Sequence, residues 1–167
     1  MNKRGGAEDL VFMMIILFAV AISSFIGYLV FTELNDTIQD SELFPTESKE
    51  VMNVTTNDLT ENHILDYAFL GILSVLTIAL FLLAYMNDFS PAFLILFIIV
   101  LVIAVLVAVS LGNAYYEIET STHFVNASAD FPMQNYIMQH LPYYILIIGV
   151  VLSIVIYAKW RGSNAKF

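Results

Sequence analysis

Residues 90–119 read SPAFLILFIIVLVIAVLVAVSLGNAYYEIE, and from Pro91 to Tyr116 there is no acidic, basic or histidine side chain. An α-helix rises about 1.5 Å per residue, so about 20 apolar residues cross the roughly 30 Å hydrocarbon core of a bilayer. The β-branched residues of this stretch would favour a strand in water. In lipid the backbone groups must be satisfied within the segment, and this predicts a membrane-spanning helix.

The remainder of the 167-residue chain fits the same solvent, because 59% of its residues are hydrophobic and only 13% are charged, with a mean hydropathy of +0.80. Soluble domains are about 45–50% apolar and about 25% charged. Four apolar blocks lack the polar back of a soluble surface helix, at about residues 10–32, 67–86, 91–116 and 141–160. The chain is therefore predicted to be an all-α membrane protein, a single domain over residues 1–167 with four transmembrane helices in an antiparallel bundle.

The basic residues predict the orientation. Five of the six Lys and Arg residues lie near the chain ends, at Lys3, Arg4, Lys159, Arg161 and Lys166. Because Lys and Arg beside a span stay on the cytoplasmic side, both termini are predicted to be cytoplasmic, as four crossings also require. The connections 33–66 and 117–140 are then extracytoplasmic, and they hold most of the acids behind the net charge of −9.

Local signals divide the first half of the chain further. The first helix is expected to continue past the lipid to about Asp40. Asp58 and Glu61 resemble a capping pair, so the second span is expected to begin near Asp58. Ser90 before Pro91 is a plausible N-cap followed by the first helical residue, and so short a turn predicts that the second and third spans are antiparallel neighbours.

Prolines mark the second long connection. Asp130 followed by Phe131 and Pro132 predicts a helix start, and Pro142 predicts either a kink or another helix start at the fourth span. The chain has no cysteine, so disulfides play no part in holding these connections.

Small residues recur along the spans at helical spacing. Residues four apart share a face of a helix, and small ones let two backbones approach closely. The candidate helix-packing residues are Ala19, Ser23, Gly27, Gly71, Ser74, Ala104, Ala108, Gly112, Gly149 and Ser153. They are expected to pack the four helices together, and one of the stripes could also mediate self-association.

Side chains for catalysis or transport are sparse. An ionisable group inside lipid usually marks a relay or an ion path, and none lies within the interior of a predicted span. Asn113 is the strongly polar side chain within a span, and it is expected to bond a neighbouring helix, with a ligand role as the alternative. His63, His123 and His140 fall outside the spans at about the depth of Asp66, without close metal-ligand spacing, and are expected to be solvated.

Enzymatic motifs are also lacking. The chain has no Gly-rich phosphate loop, no G-x-S-x-G, no H-E-x-x-H and no Cys nucleophile. Neither an enzymatic activity, a cofactor, a metal nor a small-molecule substrate is predicted. Nucleic-acid binding is not expected of an acidic chain whose bases sit at membrane ends.

Three N-x-S/T sequons begin at Asn35, Asn53 and Asn126. All three lie in the predicted extracytoplasmic connections, where glycosylation is possible. The alternative is chance occurrence in segments rich in Asn, Ser and Thr.

The opening MNKRGGAEDLVFMMIILFAVAI resembles the Lys/Arg-Gly leader and apolar helix of archaeal type IV pilin-like proteins, over about residues 1–30. The chain departs from that pattern because it lacks the glutamate after a cleavage point and has three further spans. Its apolar stretch exceeds that of a signal peptide, so an uncleaved anchor is expected. As a whole the chain resembles small uncharacterised polytopic membrane proteins of archaea and their viruses, some of which belong to virion membranes.

Three functions are consistent with the sequence. The leading hypothesis is a non-enzymatic structural or assembly component of a membrane complex, such as a virion membrane, with homo-oligomers or other membrane proteins as partners. A holin-like permeabilising protein is the first alternative, although the third span lacks a polar stripe that could line a wet pore. An accessory subunit of a larger transporter or enzyme is the second.

Overall fold

The computed structural model describes residues 7–61, 63–86 and 91–164. Lys3, Arg4 and Lys166 lie outside the described residues, as does the turn with the predicted N-cap Ser90. The described ranges contain seven helices and no strand: α1 (Ala7–Asp40), α2 (Thr46–Glu61), α3 (Ile64–Met86), α4 (Pro91–Glu119), α5 (Val125–Ser128), α6 (Pro132–Gln139) and α7 (Leu141–Asn164).

Four of these helices, α1, α3, α4 and α7, are long and apolar enough to cross a membrane. They coincide with the four predicted spans. The all-α class is therefore confirmed, and so is the presence of four helices whose length and composition suit a multi-pass membrane protein. α1 has 34 residues, about 51 Å of helix, and it continues to Asp40 as predicted.

The four long helices form a ring in the order α1, α3, α7, α4. α1 packs on α3 and α4, and α7 packs on the same two helices, most extensively on α4. Within the described residues α3 and α4 share little contact, so the prediction that they are packed neighbours is wrong. A short connection limits only the distance between two helix ends, whereas the side chains along each helix decide which partners it packs against.

The interior of this ring is one cluster of buried apolar side chains, to which all four long helices contribute. Met14 and Leu17 of α1, Phe69 of α3, Phe97 of α4 and Ile145 of α7 are each almost completely buried. Large apolar side chains on the outward faces of the same helices are exposed. The pattern is that of a bundle with an apolar interior and an apolar surface, as lipid requires.

The connection 33–66 departs from the expected course. α2 is a separate helix that packs on α1, and Asp58 lies in its last turn, so the prediction that the second span begins near Asp58 is wrong. The break comes at His63, whose φ of 48° is left-handed. A side chain is strained in that conformation and a helix cannot run through it, so α3 begins at the next residue, Ile64.

The connection 117–140 is mostly helical. α4 continues to Glu119 and α6 begins at Pro132, which confirms the predicted helix start there. α7 begins at Leu141, so of the two alternatives at Pro142, a kink or a helix start, the structure has the helix start. α6 packs against α3, α4 and α7 at one end of the ring. Residues 33–63 and 120–140 together are called the cap below.

Candidate functional site in the cap

A buried polar network joins the cap to the bundle. Gln134 of α6 is 0% exposed, and its Nε2 donates to the carbonyl oxygen of Ala21 in α1 (3.2 Å) and to the hydroxyl oxygen of Tyr115 in α4 (3.0 Å). The Tyr115 hydroxyl in turn donates to Oδ1 of Asn135 (2.7 Å), and Nδ2 of Asn135 donates to the Ser128 carbonyl oxygen (2.7 Å). Helices α1, α4, α5 and α6 are therefore tied together at one level.

Gln134 also leaves one buried acceptor without a partner. Its Oε1 has no hydrogen-bond partner among the described residues. An unpaired buried oxygen lowers the stability of the fold by about 1–3 kcal/mol. The network is therefore incompletely hydrogen-bonded at Gln134.

Asp66 of α3 holds the start of α6. Its side chain is only 2% exposed, and its carboxylate accepts the backbone N–H groups of Met133 (3.0 Å) and Gln134 (2.7 Å). The N-cap residue of α6, Phe131, provides no side-chain bond of its own. A carboxylate at a helix N-terminus satisfies free donors and interacts favourably with the helix dipole, so Asp66 has a structural role that sequence inspection missed.

Aromatic rings fill the space between α1 and the segment 124–131. The buried Phe25 ring lies 5.5 Å from Tyr115 and 5.2 Å from Phe131 between centroids, and 5.9 Å from Phe124. Tyr28 lies 5.8 Å from the same Phe131 ring. Such ring pairs add about 0.5–1.5 kcal/mol beyond their buried area, so α1 is firmly held on this side of the cap.

These contacts place Ala21 of α1 level with Asp66 of α3 and Tyr115 of α4. Residues 22–40 of α1, about 28 Å of helix, therefore continue beyond that level. Ile26, Val30 and Phe31 on this part of α1 are exposed apolar side chains. The cap is built around this extension of a single helix.

A polar cleft of about 490 Å³ opens beside the α1 extension. It lies between α1, α2, the α2–α3 junction and the turn before α6. Its lining contains two carboxyl groups, an imidazole, a phenol, an amide and two hydroxyls. These belong to Asp36, Asp130, His63, Tyr28, Asn35, Thr32 and Thr56. Nδ1 of His63 lies 2.8 Å from the Asp130 carbonyl oxygen, which can only accept, so Nδ1 carries the proton. The lining can hold polar or cationic groups.

The other predicted polar residues are placed as follows. His140 is exposed, with Nδ1 2.8 Å from the Tyr136 carbonyl oxygen and its ring stacked on Tyr136 at 4.4 Å, and His123 is exposed. Across the described residues no three His, Asp or Glu side chains converge as metal ligands. Asn113 is exposed and lines a cleft of about 210 Å³ with Tyr116, Gln139 and Pro142.

The candidate packing residues divide into two sets. Ala104, Ala108, Gly112 and Gly149 are buried in the bundle, and Ser153 is half-buried. A Cβ added to Gly149 would fall on Cδ1 of Leu101 in α4 and 2.8 Å from its Cδ2, so the glycine permits close approach of α4 and α7. The second set faces outward: Ala19, Ser23, Gly71 and Ser74 are exposed, and Gly27 is half-buried with no atom within 4 Å of an added Cβ.

The three sequons all lie in helices. Asn35 is half-buried in the lining of the polar cleft, whereas Asn53 of α2 and Asn126 of α5 are exposed. Glycosylation of these residues stays a prediction, and Asn53 and Asn126 are the more accessible acceptors.

Comparison of the chain with protein-family models, with curated proteins and with solved structures finds no match.

Proposed function

We propose that the chain is a non-enzymatic integral membrane protein that serves as a structural or assembly component of a membrane complex, with a virion membrane as one candidate setting. The observation that carries the proposal is the cap, which projects beyond three of the four long helices and exposes apolar side chains such as Leu43 and Val51. Exposed apolar groups on a projecting, internally bonded structure favour contact with a partner protein.

The interior of the bundle supports a structural role over transport. The buried polar or charged side chains among the described residues are Thr56, Asp66, Ser128 and Gln134, which belong to the cap or bond to it. Below them the buried residues are apolar. Ion paths and proton relays need polar or ionisable groups along their length, so this interior does not favour a holin-like pore.

Crosslinking in native membranes tests the assembly role. A photoreactive side chain introduced at Leu43, which lies in the cap, is expected to crosslink to a partner protein. The same group at Ile78, which is on the exposed face of α3, is the control and is expected to label mainly lipid. Monomer alone at both positions would contradict the proposal.

An accessory subunit of a larger membrane enzyme or transporter is a second candidate. It is favoured by the outward-facing small residues Ala19, Ser23 and Gly71, which leave room for another helix. Co-purification in mild detergent separates the two candidates, because an accessory subunit would bring a catalytic or transporting protein with it.

For the topology we propose an antiparallel bundle with cytoplasmic termini and an extracytoplasmic cap. Two contacts support alternating directions of successive spans. The end of α4 meets the start of α7, where an added Cβ at Gly112 lies 4.0 Å from Pro142, so these two helices run in opposite directions. The last turns of α3 and α7 meet where Lys159 donates to the Tyr85 carbonyl oxygen, so α3 runs parallel to α7 and opposite to α4. The charge bias of the termini supports the orientation.

Because the chain has no cysteine, single cysteines report the topology directly. Asn53→Cys is expected to react with an impermeant maleimide on intact cells, whereas Gly162→Cys should react only after permeabilisation. The opposite pattern would overturn the orientation.

A further inference from the structure

The tip of the cap carries apolar side chains where lipid does not explain them. Leu43 is 90% exposed and Val51 is 68% exposed. Thr32 ends the apolar block of α1, and the helix continues from there to Asp40 over about 12 Å. The headgroup layer extends only about 5–8 Å beyond the hydrocarbon, so the tip stands clear of the membrane from which it projects.

Part of this apolar surface is concave. A groove of about 440 Å³ lies between α1 and α2, and it is called the tip groove below. Its lining is mainly apolar, from Ile38, Phe44, Val51 and Met52, with Glu47, Ser48 and Thr55 as the polar members. Shape and apolar lining together suit the insertion of apolar side chains from a partner.

The surroundings of the tip groove are acidic. Asp40, Glu42, Glu47 and Glu50 are all exposed within eleven consecutive residues. The nearby base, Lys49, is half-buried and its Nζ donates to the Gln39 carbonyl oxygen at 2.7 Å. An apolar groove within an acidic field favours a partner that combines apolar and basic groups.

The secondary structure around the groove limits the class of partner further. α1 and α2 form its walls, and helices leave no free strand edge to which an extended peptide could add. A second copy of the same tip would bring the same acids together, which like-charge repulsion opposes. We propose that the tip groove binds a basic amphipathic helix of a partner protein, a proposal that rests on the assembly role proposed above.

Peptide binding to the purified full-length protein in neutral-lipid nanodiscs tests the proposal. The probe is a synthetic amphipathic helix of leucine and lysine, and its leucine–glutamate counterpart is the control peptide. The lysine peptide is expected to bind, more weakly as salt rises, and the glutamate peptide is not.

Two valines of α2 provide matched variants. Val51→Ser is expected to weaken binding of the lysine peptide about tenfold, because burial of a valine side chain is lost. Val54 is 55% exposed on the same helix but does not line the groove, so Val54→Ser should leave binding unchanged. Glu47→Lys is expected to weaken binding as much as Val51→Ser. Helix content measured by circular dichroism confirms that each variant is folded.

Three results would overturn the proposal: equal binding of the two peptides, equal effects of Val51→Ser and Val54→Ser, or a dimer of the chain that Val51→Ser dissociates. The assembly role is judged separately by crosslinking in native membranes. If the Val51→Ser variant still crosslinks to a partner, the proposal that the tip groove binds this partner is contradicted, whereas the assembly role is not.

Discussion

The α4–α7 interface and the cap are held together by different physics. In the interface, Leu101 lies against Gly149, and contact depends on the absence of a side chain. Where the cap meets the bundle, the buried side chains of Asp66 and Gln134 join separate helices, because Asp66 accepts from a backbone N–H of α6 and Gln134 donates to a carbonyl oxygen of α1. Lipid provides no hydrophobic force between helices, so close packing dominates in the interface. At the cap, helix ends expose backbone donors that side chains must satisfy.

The two regions are therefore destabilised by different kinds of substitution. A closely packed interface does not tolerate added volume, because the extra atoms displace side chains that already fill the space. A polar network tolerates little loss, because each removed partner leaves a buried group unsatisfied.

The largest effect is expected at Asp66. Asp66→Ala removes the acceptor for two backbone N–H groups of α6 and should lower the free energy of unfolding by about 3 kcal/mol. The measurement is SDS titration in mild detergent, with the exposed Glu117→Ala as the control. Equal losses of unfolding free energy for the two variants would show that the hydrogen bonds from α6 to Asp66 do not stabilise the cap.

Tyr115→Phe is expected to cost about 1.5 kcal/mol. The variant keeps the ring against Phe25 but removes the hydroxyl that accepts from Gln134 and donates to Asn135. The adjacent and exposed Tyr116→Phe should have little effect in the same titration. If Tyr115→Phe were also silent, the network would contribute packing rather than hydrogen bonding.

Gly149→Ala tests the other region. The new methyl group would overlap Leu101, and the free energy of unfolding should fall by about 1 kcal/mol. Gly71→Ala, where no atom lies within 4 Å of the added Cβ, should not lower it. A double variant with Leu101→Ala should show coupling between the two positions, and strict additivity would argue against their contact.

The smallest effect is expected at Lys49. Its Nζ and backbone oxygen exchange hydrogen bonds with Gln39, at 2.7 Å in each direction. Lys49→Met should lower the free energy of unfolding by about 0.5 kcal/mol. The effect should be local: amide hydrogen exchange is expected to become faster in α2 and to stay unchanged in α7. Faster exchange throughout the bundle would mean that α2 is coupled to the long helices.

Local signals accounted for much of the fold. Apolar length predicted the four spans, and Pro132 and Pro142 marked helix starts because a proline lacks the N–H that a first helical residue does not need. Asp58 misled for a related reason. A capping pattern describes only neighbours in sequence. The helices are in fact separated at His63, whose left-handed backbone conformation lies between α2 and α3.

The candidate site was less accessible to sequence reasoning. Asp66 caps a helix that starts more than sixty residues later, so no local pattern joins it to Met133 and Gln134. Four-residue spacing likewise marks a face of a helix without saying whether it turns inward, as Ala108 does, or outward, as Ser23 does.

Composition and the length of the apolar blocks were enough to predict four helices able to span a bilayer, because backbone hydrogen bonding in lipid allows few other structures. The order α1, α3, α7, α4 around the bundle and the buried hydrogen bonds between the cap and the bundle could be read only from the folded chain. Both depend on which side chains come into contact across long separations in the chain. Where these side chains are polar and buried, leaving them without a hydrogen-bond partner is costly.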